Sequence, residues 1–218
     1  MAGDRHVVLL GDSIFDNAVY TRGEPAVIEH LRSLLPQGWK ATLRAVDGAT
    51  MRTVEVQWRE LPLDSSHLAL AIGGNDALGN IDLLARPVSS TTETLLLFRR
   101  RLEDFHESYA RVLDRVARLR IPTTVCTIYN GNLDPETAAA AEVALMMFND
   151  VILHAAIQRG LSVIELRQVC DEPEDYANPI EPSGRGGRKI AAAIAYAIGA
   201  VTLNGEPSRV FGRASVRA

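Results

Sequence analysis

The chain has little of what most often announces a function. Among its 218 residues only two are cysteine, Cys126 and Cys170. They lie far apart and match neither a metal-binding nor a dithiol spacing, which excludes a disulfide scaffold and a zinc ribbon. No run of about 18 apolar residues is unbroken, so no membrane span is expected. Like charges do not accumulate: 23 basic and 27 acidic side chains leave a net charge of -4 with no acidic tail and no basic nucleic-acid arm. The densest basic cluster, Arg99 to Arg101, is followed at once by Glu103, Asp104 and Glu107, the pattern of a solvated helix face. The first residues, MAGDRHVVLLGDS, carry neither a charged leader nor a long apolar stretch nor a small-residue cleavage site. They read as entering the fold directly, without a secretory signal, and a cytoplasmic location is the default expectation. Internal repeats and low-complexity tracts are lacking too.

What is present is an ordinary globular composition, 47% hydrophobic and 23% charged, enough for one substantial core. Short apolar runs alternate with helical patterns. His6–Leu10 is a strand buried on both faces, ended by Gly11-Asp12. Residues 25–35 repeat apolar side chains at helical spacing until Pro36 stops them. Further strands are expected at 41–46, 67–72, 123–128 and 161–166, and helices at 52–58, 94–119, 135–159 and 183–199. Five strands separated by helices predict a parallel sheet covered on both faces. Residues 1–203 form one domain in this reading, and 204–218 a flexible C-terminal tail. Ligands of such open sheets bind beyond the carboxyl ends of the strands.

Three short blocks sit at those ends. Gly11-Asp12-Ser13 follows the first strand within the longer stretch Leu9–Asn17, LLGDSIFDN. A tight glycine turn there can lift the Ser13 hydroxyl clear of the sheet and direct backbone N–H groups at developing negative charge. Asp47-Gly48 closes the second strand and Gly73-Gly74-Asn75-Asp76 the third. Taken singly, each also reads as a turn or helix cap. Asp12 and Asp16, beside the serine, read as structural acids bonding loop amides.

In order and position the three blocks resemble the SGNH, or GDSL-type, serine hydrolases. The resemblance is specific from His6 to Asp76 and resumes over Asn178 to Ile190. It implies a three-layer α/β sandwich with a flavodoxin-like, five-stranded parallel sheet. It also implies Ser13 as nucleophile and an oxyanion hole made by the Ser13 N–H, the Gly48 N–H and the Asn75 side chain. The expected partner is a small-molecule ester, with no metal, organic cofactor or nucleic acid; oligomeric state is not readable.

At one point the pattern breaks. Most of that family ends in Asp-x-x-His-Pro, where histidine is the general base. This chain has Asn178-Pro-Ile-Glu181-Pro182-Ser183-Gly184, so Asn178 stands for the aspartate and Glu181 for the histidine. His6 and His67 begin their strands, at the wrong edge of the sheet, and His30, His106 and His154 fall inside expected helices. Glu181 is therefore the candidate general base, with Asn178 orienting its carboxylate through the amide; Asp175, in the same loop, is a fallback acid. An ordinary glutamate, with a pKa of about 4.3, is a weak base, and burial is the means of raising it. Two functions stay open: a serine-dependent esterase, or a catalytically impaired relative that binds an acylated or acetylated ligand. In the second, Glu181 is a structural acid bonded to Ser13 or Arg185. The lack of a large lid-like insertion predicts an open, shallow site and favours short acyl esters.

Overall fold

The computed structural model describes residues 5–202 together with residues 208 and 210. The expected C-terminal tail lies almost wholly outside the described residues. Five parallel strands run in the order β2-β1-β3-β4-β5: β1 His6–Gly11, β2 Lys40–Leu43, β3 His67–Ala71, β4 Thr123–Cys126 and β5 Ser162–Ile164. All five apolar runs became strands, and the sheet is parallel as the alternation of elements requires.

The alternation of β1 side chains explains the layers. Val7 and Leu9 point into a core shared with α1 (Val27–Leu34) and the final helix, while Val8 and Leu10 point the other way. That second core is closed by α3 (Thr91–Arg118) and α4 (Pro135–Gln158) through Phe105, Tyr109, Leu113, Phe148 and Ile152. Each long helix starts where its sequence dictates. Ser90 accepts the Glu93 N–H at the head of α3, and Asp134 accepts the Thr137 N–H at the head of α4, with Pro135 in the first turn. The stretch Arg99–Arg101 is a solvated face of α3, with Arg99 paired to Glu103 at 2.8 Å.

By length and apolarity α4 matches a membrane-crossing helix. Here its second half is packed into the core, burying Phe148, Asn149, Ile152, Ala155 and Ala156.

Two strands are shorter than their apolar runs. After Leu43 the chain turns so that the N–H groups of Arg44 and Ala45 both donate to the Leu9 carbonyl, which ends the β2 ladder. After Ile164, the Leu166 N–H turns to the Thr127 hydroxyl at 2.8 Å, and a helical turn follows, α5 (Leu166–Val169). Besides α5 and a 3-10 turn at Pro173–Asp175, two further elements were not anticipated, α2 (Gly74–Leu78) and a 3-10 turn at Ile81–Ala85. Both follow β3, where Gly73 and Asn75 read as turn and cap residues. The helix expected at 52–58 is a 3-10 helix, Val54–Glu60. The last helix, α6 (Gly184–Ala197), is capped by Ser183, whose hydroxyl accepts the Gly186 N–H.

The order β2-β1-β3 reverses the direction of sheet growth at β1, leaving a crevice beyond the carboxyl ends of β1 and β3. Ser13 follows the first of these strands and Asn75 the second.

Candidate active site

The turn that presents Ser13 depends on Gly11. Its φ of 132° is one that side chains rarely adopt, and a Cβ there would lie 1.7 Å from the Ala71 carbonyl oxygen. Glycine lets β1 run close against β3, and the Asp12 N–H then bonds Ala71 O at 3.1 Å. On its other side Gly11 has lost β2, which has already left the sheet. The buried amide of Gln57 fills the gap, accepting the Gly11 N–H at 2.8 Å and donating to the Gly11 carbonyl at 2.7 Å. Sequence reasoning missed Gln57.

Ser13 emerges 7% exposed, and its hydroxyl donates to Glu181 Oε1 at 3.1 Å. Of the expected site residues these two, 168 positions apart, are in direct contact. The five histidines are engaged elsewhere or sit on helices. His6 contacts Asp64 and Thr42 at the opposite edge of the sheet, His67 bonds Ser66, and His154 bonds Gln158.

The loop that carries Glu181 is fastened at several points. Asn178 Oδ1 accepts the N–H groups of Ile180 at 3.0 Å and Glu181 at 2.9 Å. Asn178 thus shapes the backbone of the loop. The expectation that its amide would orient the Glu181 carboxylate is corrected, because its oxygen is committed to these two N–H groups and its nitrogen donates to no described residue. The Glu181 carbonyl accepts the Ala177 N–H, the Ile180 carbonyl accepts the Tyr129 hydroxyl at 2.7 Å, and the Pro179 carbonyl accepts the Asn132 N–H. Asn17, the last residue of the first block, donates to the Pro182 carbonyl at 3.2 Å and accepts the Val27 N–H at 3.0 Å. One buried amide therefore joins the block that carries Ser13, the loop of Glu181 and the start of α1. No signal marked Asn17 beyond its place in the block.

Asp175 is fully buried, but its carboxylate belongs to Lys189, at 2.7 Å. Asp171 and Glu172 join the same lysine at 3.0 and 2.7 Å, and Arg185 pairs with Glu172. This cluster anchors α6 next to the Glu181 loop. Asp175 is thus removed as the fallback acid, and Arg185 as a partner of Glu181.

The oxyanion donors expected from the sequence are arranged as follows. The N–H groups of Ser13 and Gly48 donate to no acceptor among the described residues. Asn75 donates one amide hydrogen to the Ala49 carbonyl at 2.9 Å, which leaves the other free. Gly48, with φ of 73°, is tied to the site by that bond to its neighbour and by Asp16, whose carboxylate accepts the Asp47 N–H. Asp76 fixes the same loop by accepting the Met51 N–H at 3.0 Å. Ser13, Asn75 and Glu181 line one cavity of about 160 Å³; Gly48 is not part of its wall.

The electrostatics follow from burial. Glu181 is 7% exposed, and desolvation raises its carboxyl above the ordinary 4.5, against the lowering effect of the Ser13 hydroxyl and with a further push from the charge of Asp47. Asp12 lies beside it, its Oδ1 accepting the Ile14 N–H at 3.1 Å and its Oδ2 buried without a partner among the described residues. Burial first, then the charges of Glu181 and Asp76, move Asp12 from 3.8 up to about 7, against the Ile14 hydrogen bond. Asp12 and Asp16 bond loop amides, as the sequence indicated.

With this geometry in hand, comparison with known proteins is decisive for the family. The model of the GDSL-like Lipase/Acylhydrolase family matches residues 9–189. The chain belongs to that family. Membership places it among esterase- and lipase-type hydrolases. Solved structures with the same fold include an alpha/beta hydrolase from the metagenome of Lake Arreo, Spain, 19% identical over 93% of this chain and 99% of that one, with a TM-score of 0.67. An extracellular lipase from Streptomyces rimosus is 16% identical over 88% and 99%, with a TM-score of 0.63. An acetyl xylan esterase is 16% identical over 88% and 99%, with a TM-score of 0.64. Among curated proteins nothing matches. At these identities the structural relatives establish the fold of this GDSL-like protein and leave its substrate open.

Proposed function

We propose that the chain is a serine-dependent acyl-ester hydrolase in which Glu181 takes the part that histidine plays in most relatives. The observation that carries the proposal is the 3.1 Å hydrogen bond from the Ser13 hydroxyl to the buried Glu181 carboxylate. As Ser13 Oγ attacks the ester carbonyl carbon, its proton passes to Glu181 Oε1. The carbonyl oxygen becomes an oxyanion that accepts from the Ser13 and Gly48 N–H groups and the free Asn75 amide hydrogen. Collapse breaks the bond to the leaving alcohol, which takes the proton from Glu181, and an acyl-Ser13 remains. Water then attacks, gives its proton to Glu181, and release of the acid returns the proton to Ser13.

A second reading, a relative that binds an acylated ligand without turnover, draws on Asn178. With that side chain spent on backbone, no third residue among those described orients the Glu181 carboxylate. Purified protein with p-nitrophenyl acetate and an alkyl fluorophosphonate separates the two. Turnover lost in both Ser13→Ala and Glu181→Gln supports the hydrolase. Labelling of Ser13 without turnover supports the binding protein, and full activity in Glu181→Gln removes Glu181 as the base.

A further inference from the structure

We infer that the acyl group this protein takes is a medium-length alkyl chain, on the order of eight to twelve carbons, lodged in a groove between α2 and α4. The inference rests on the hydrolase reading for its chemistry. Its own basis is the wall of the cavity. The sequence pointed to an open, shallow site suited to short acyl groups; the cavity is lined by two helical segments.

One wall is a single face of α4. Thr137, Ala141, Ala144, Leu145 and Phe148 line the cavity at intervals of four, three, one and three residues, the spacing of one helical stripe. Eleven residues of helix extend about 16 Å at 1.5 Å per residue. An extended alkyl chain advances about 1.3 Å per carbon–carbon bond, so a wall of this length takes about a dozen carbons. The opposite wall is built by α2 and the 3-10 turn after it, through Ala77, Leu78, Ile81 and Leu84.

The chemistry of the lining is divided. Among the described residues the carboxylates Asp12 and Glu181 are the only charged groups that line it, and both belong to the catalytic end with Ser13 and Asn75. Away from that end the lining is alkyl and aromatic apart from Thr137, Asn130 and Asn80, and the Asn80 amide already donates to the Asp76 carbonyl. Such walls provide no cation for a phosphate or carboxylate and no row of donors for a sugar. The apolar side chains are also left open. Leu78 is 44% exposed, Ile81 55%, Leu84 38% and Ile180 41%, although all four line the cavity. A contiguous exposed apolar surface at a catalytic serine is what an alkyl chain would cover. An acetyl group would leave most of it in water.

The small residues Ala141 and Ala144 give the groove its width on the α4 side, so they are the positions at which length preference can be altered. The test has two arms. In the first, kcat/KM is measured for p-nitrophenyl esters from acetate to laurate, below their critical micelle concentrations. The expected result is a rise of about threefold to fourfold per added methylene up to the groove's limit, then a plateau or fall. Ala144→Phe and, separately, Ala141→Leu should lower the decanoate-to-acetate ratio of kcat/KM by tenfold or more. In the second arm, calorimetry follows N-methyl alkanamides of four to ten carbons binding to Ser13→Ala, which reads the groove without any chemistry. Affinity should climb with chain length. Acetate as the best ester, together with chain-independent amide binding, overturns the inference. Chain-dependent amide binding without turnover of any ester keeps the groove and removes the hydrolase reading. Turnover that falls steadily from acetate onward keeps the hydrolase and removes the groove.

Discussion

Ser13 and Glu181 form a buried hydroxyl–carboxylate pair, 3.1 Å apart, that joins two loops 168 positions apart in the chain. A carboxylate accepts a proton well only when desolvation makes the charged form expensive, and Glu181 is in that state. The base must be ionised to act. With Glu181 as the proposed base, activity is expected to be complete above its raised pKa and to be lost as pH falls through it. The acid limb of kcat/KM should lie above the ordinary glutamate value of 4.5. Glu181→Gln keeps an acceptor for the hydroxyl but cannot take its proton. A fall in kcat of about 10²–10⁴ with little change in KM is expected, along with loss of that limb. A pH profile of kcat/KM for both proteins checks it, and an unchanged limb in the variant would assign it to another group.

Asp12 makes a separate prediction about stability. Its folded value of about 7 exceeds the ordinary 3.8, so the folded protein holds this proton where the unfolded chain has released it. The sign follows: its contribution is most favourable at acid pH and is lost as pH rises from about 3.8 to about 7, by an amount on the order of a few kcal/mol. Asp12→Asn keeps the Oδ1 acceptor for Ile14 and cannot ionise. Relative to the parent protein, its Tm should gain between pH 4 and pH 8. Parallel Tm curves over that range would mean that Asp12 does not titrate there.

Much of this was legible in the sequence, for identifiable reasons. A strand such as β1, buried on both faces, shows as an unbroken apolar run, and the blocks at Ser13 and Asn75 follow strand ends directly, whereas Gly48 lies five residues beyond the end of β2. The Asn178–Glu181 register was readable because Pro182 and Ser183 frame it. The role of Asn178 was not, because a side chain that bonds the backbone two and three residues ahead looks the same in sequence as one that bonds a carboxylate. The groove was hidden more thoroughly. Ala144 and Leu145 lie in a helix that also supplies core residues, and the periodicity of α4 does not distinguish a wall facing a cavity from one facing a neighbouring helix. Gln57 was unreadable because the bond it satisfies arises only from the early departure of β2.

Gln57 can be tested directly. Replacing it with leucine keeps the bulk and removes the acceptor of the Gly11 N–H, while the Gly11 carbonyl still receives the Val46 N–H at 3.0 Å. One buried donor left unpaired costs about 1–3 kcal/mol. Urea denaturation should show that loss as a lower midpoint at unchanged slope. Because Gly11 sets the turn before Ser13, kcat should fall as well. A midpoint equal to the parent's would mean that the N–H finds water or another acceptor.

Asn17 links the two halves of the site and allows positioning to be separated from stability. Asn17→Asp retains the oxygen that accepts the Val27 N–H but replaces the donor to the Pro182 carbonyl with a second acceptor. The head of α1 stays satisfied, while the chain next to Glu181 meets repulsion in place of a hydrogen bond. Asn17→Ala removes both bonds, costing about 1–3 kcal/mol for the buried N–H at the head of α1. If Asn17 acts through the Glu181 loop, the aspartate variant should lose kcat by tenfold or more with KM nearly unchanged. Both variants should lose stability, the aspartate through its buried carboxyl group and the alanine through the unpaired Val27 N–H, and the alanine variant should show no larger loss of kcat. The two variants differ at the Val27 contact and share the loss at Pro182, so a common kcat defect traces to the loop. A kcat that follows melting temperature across both would reduce Asn17 to a structural residue.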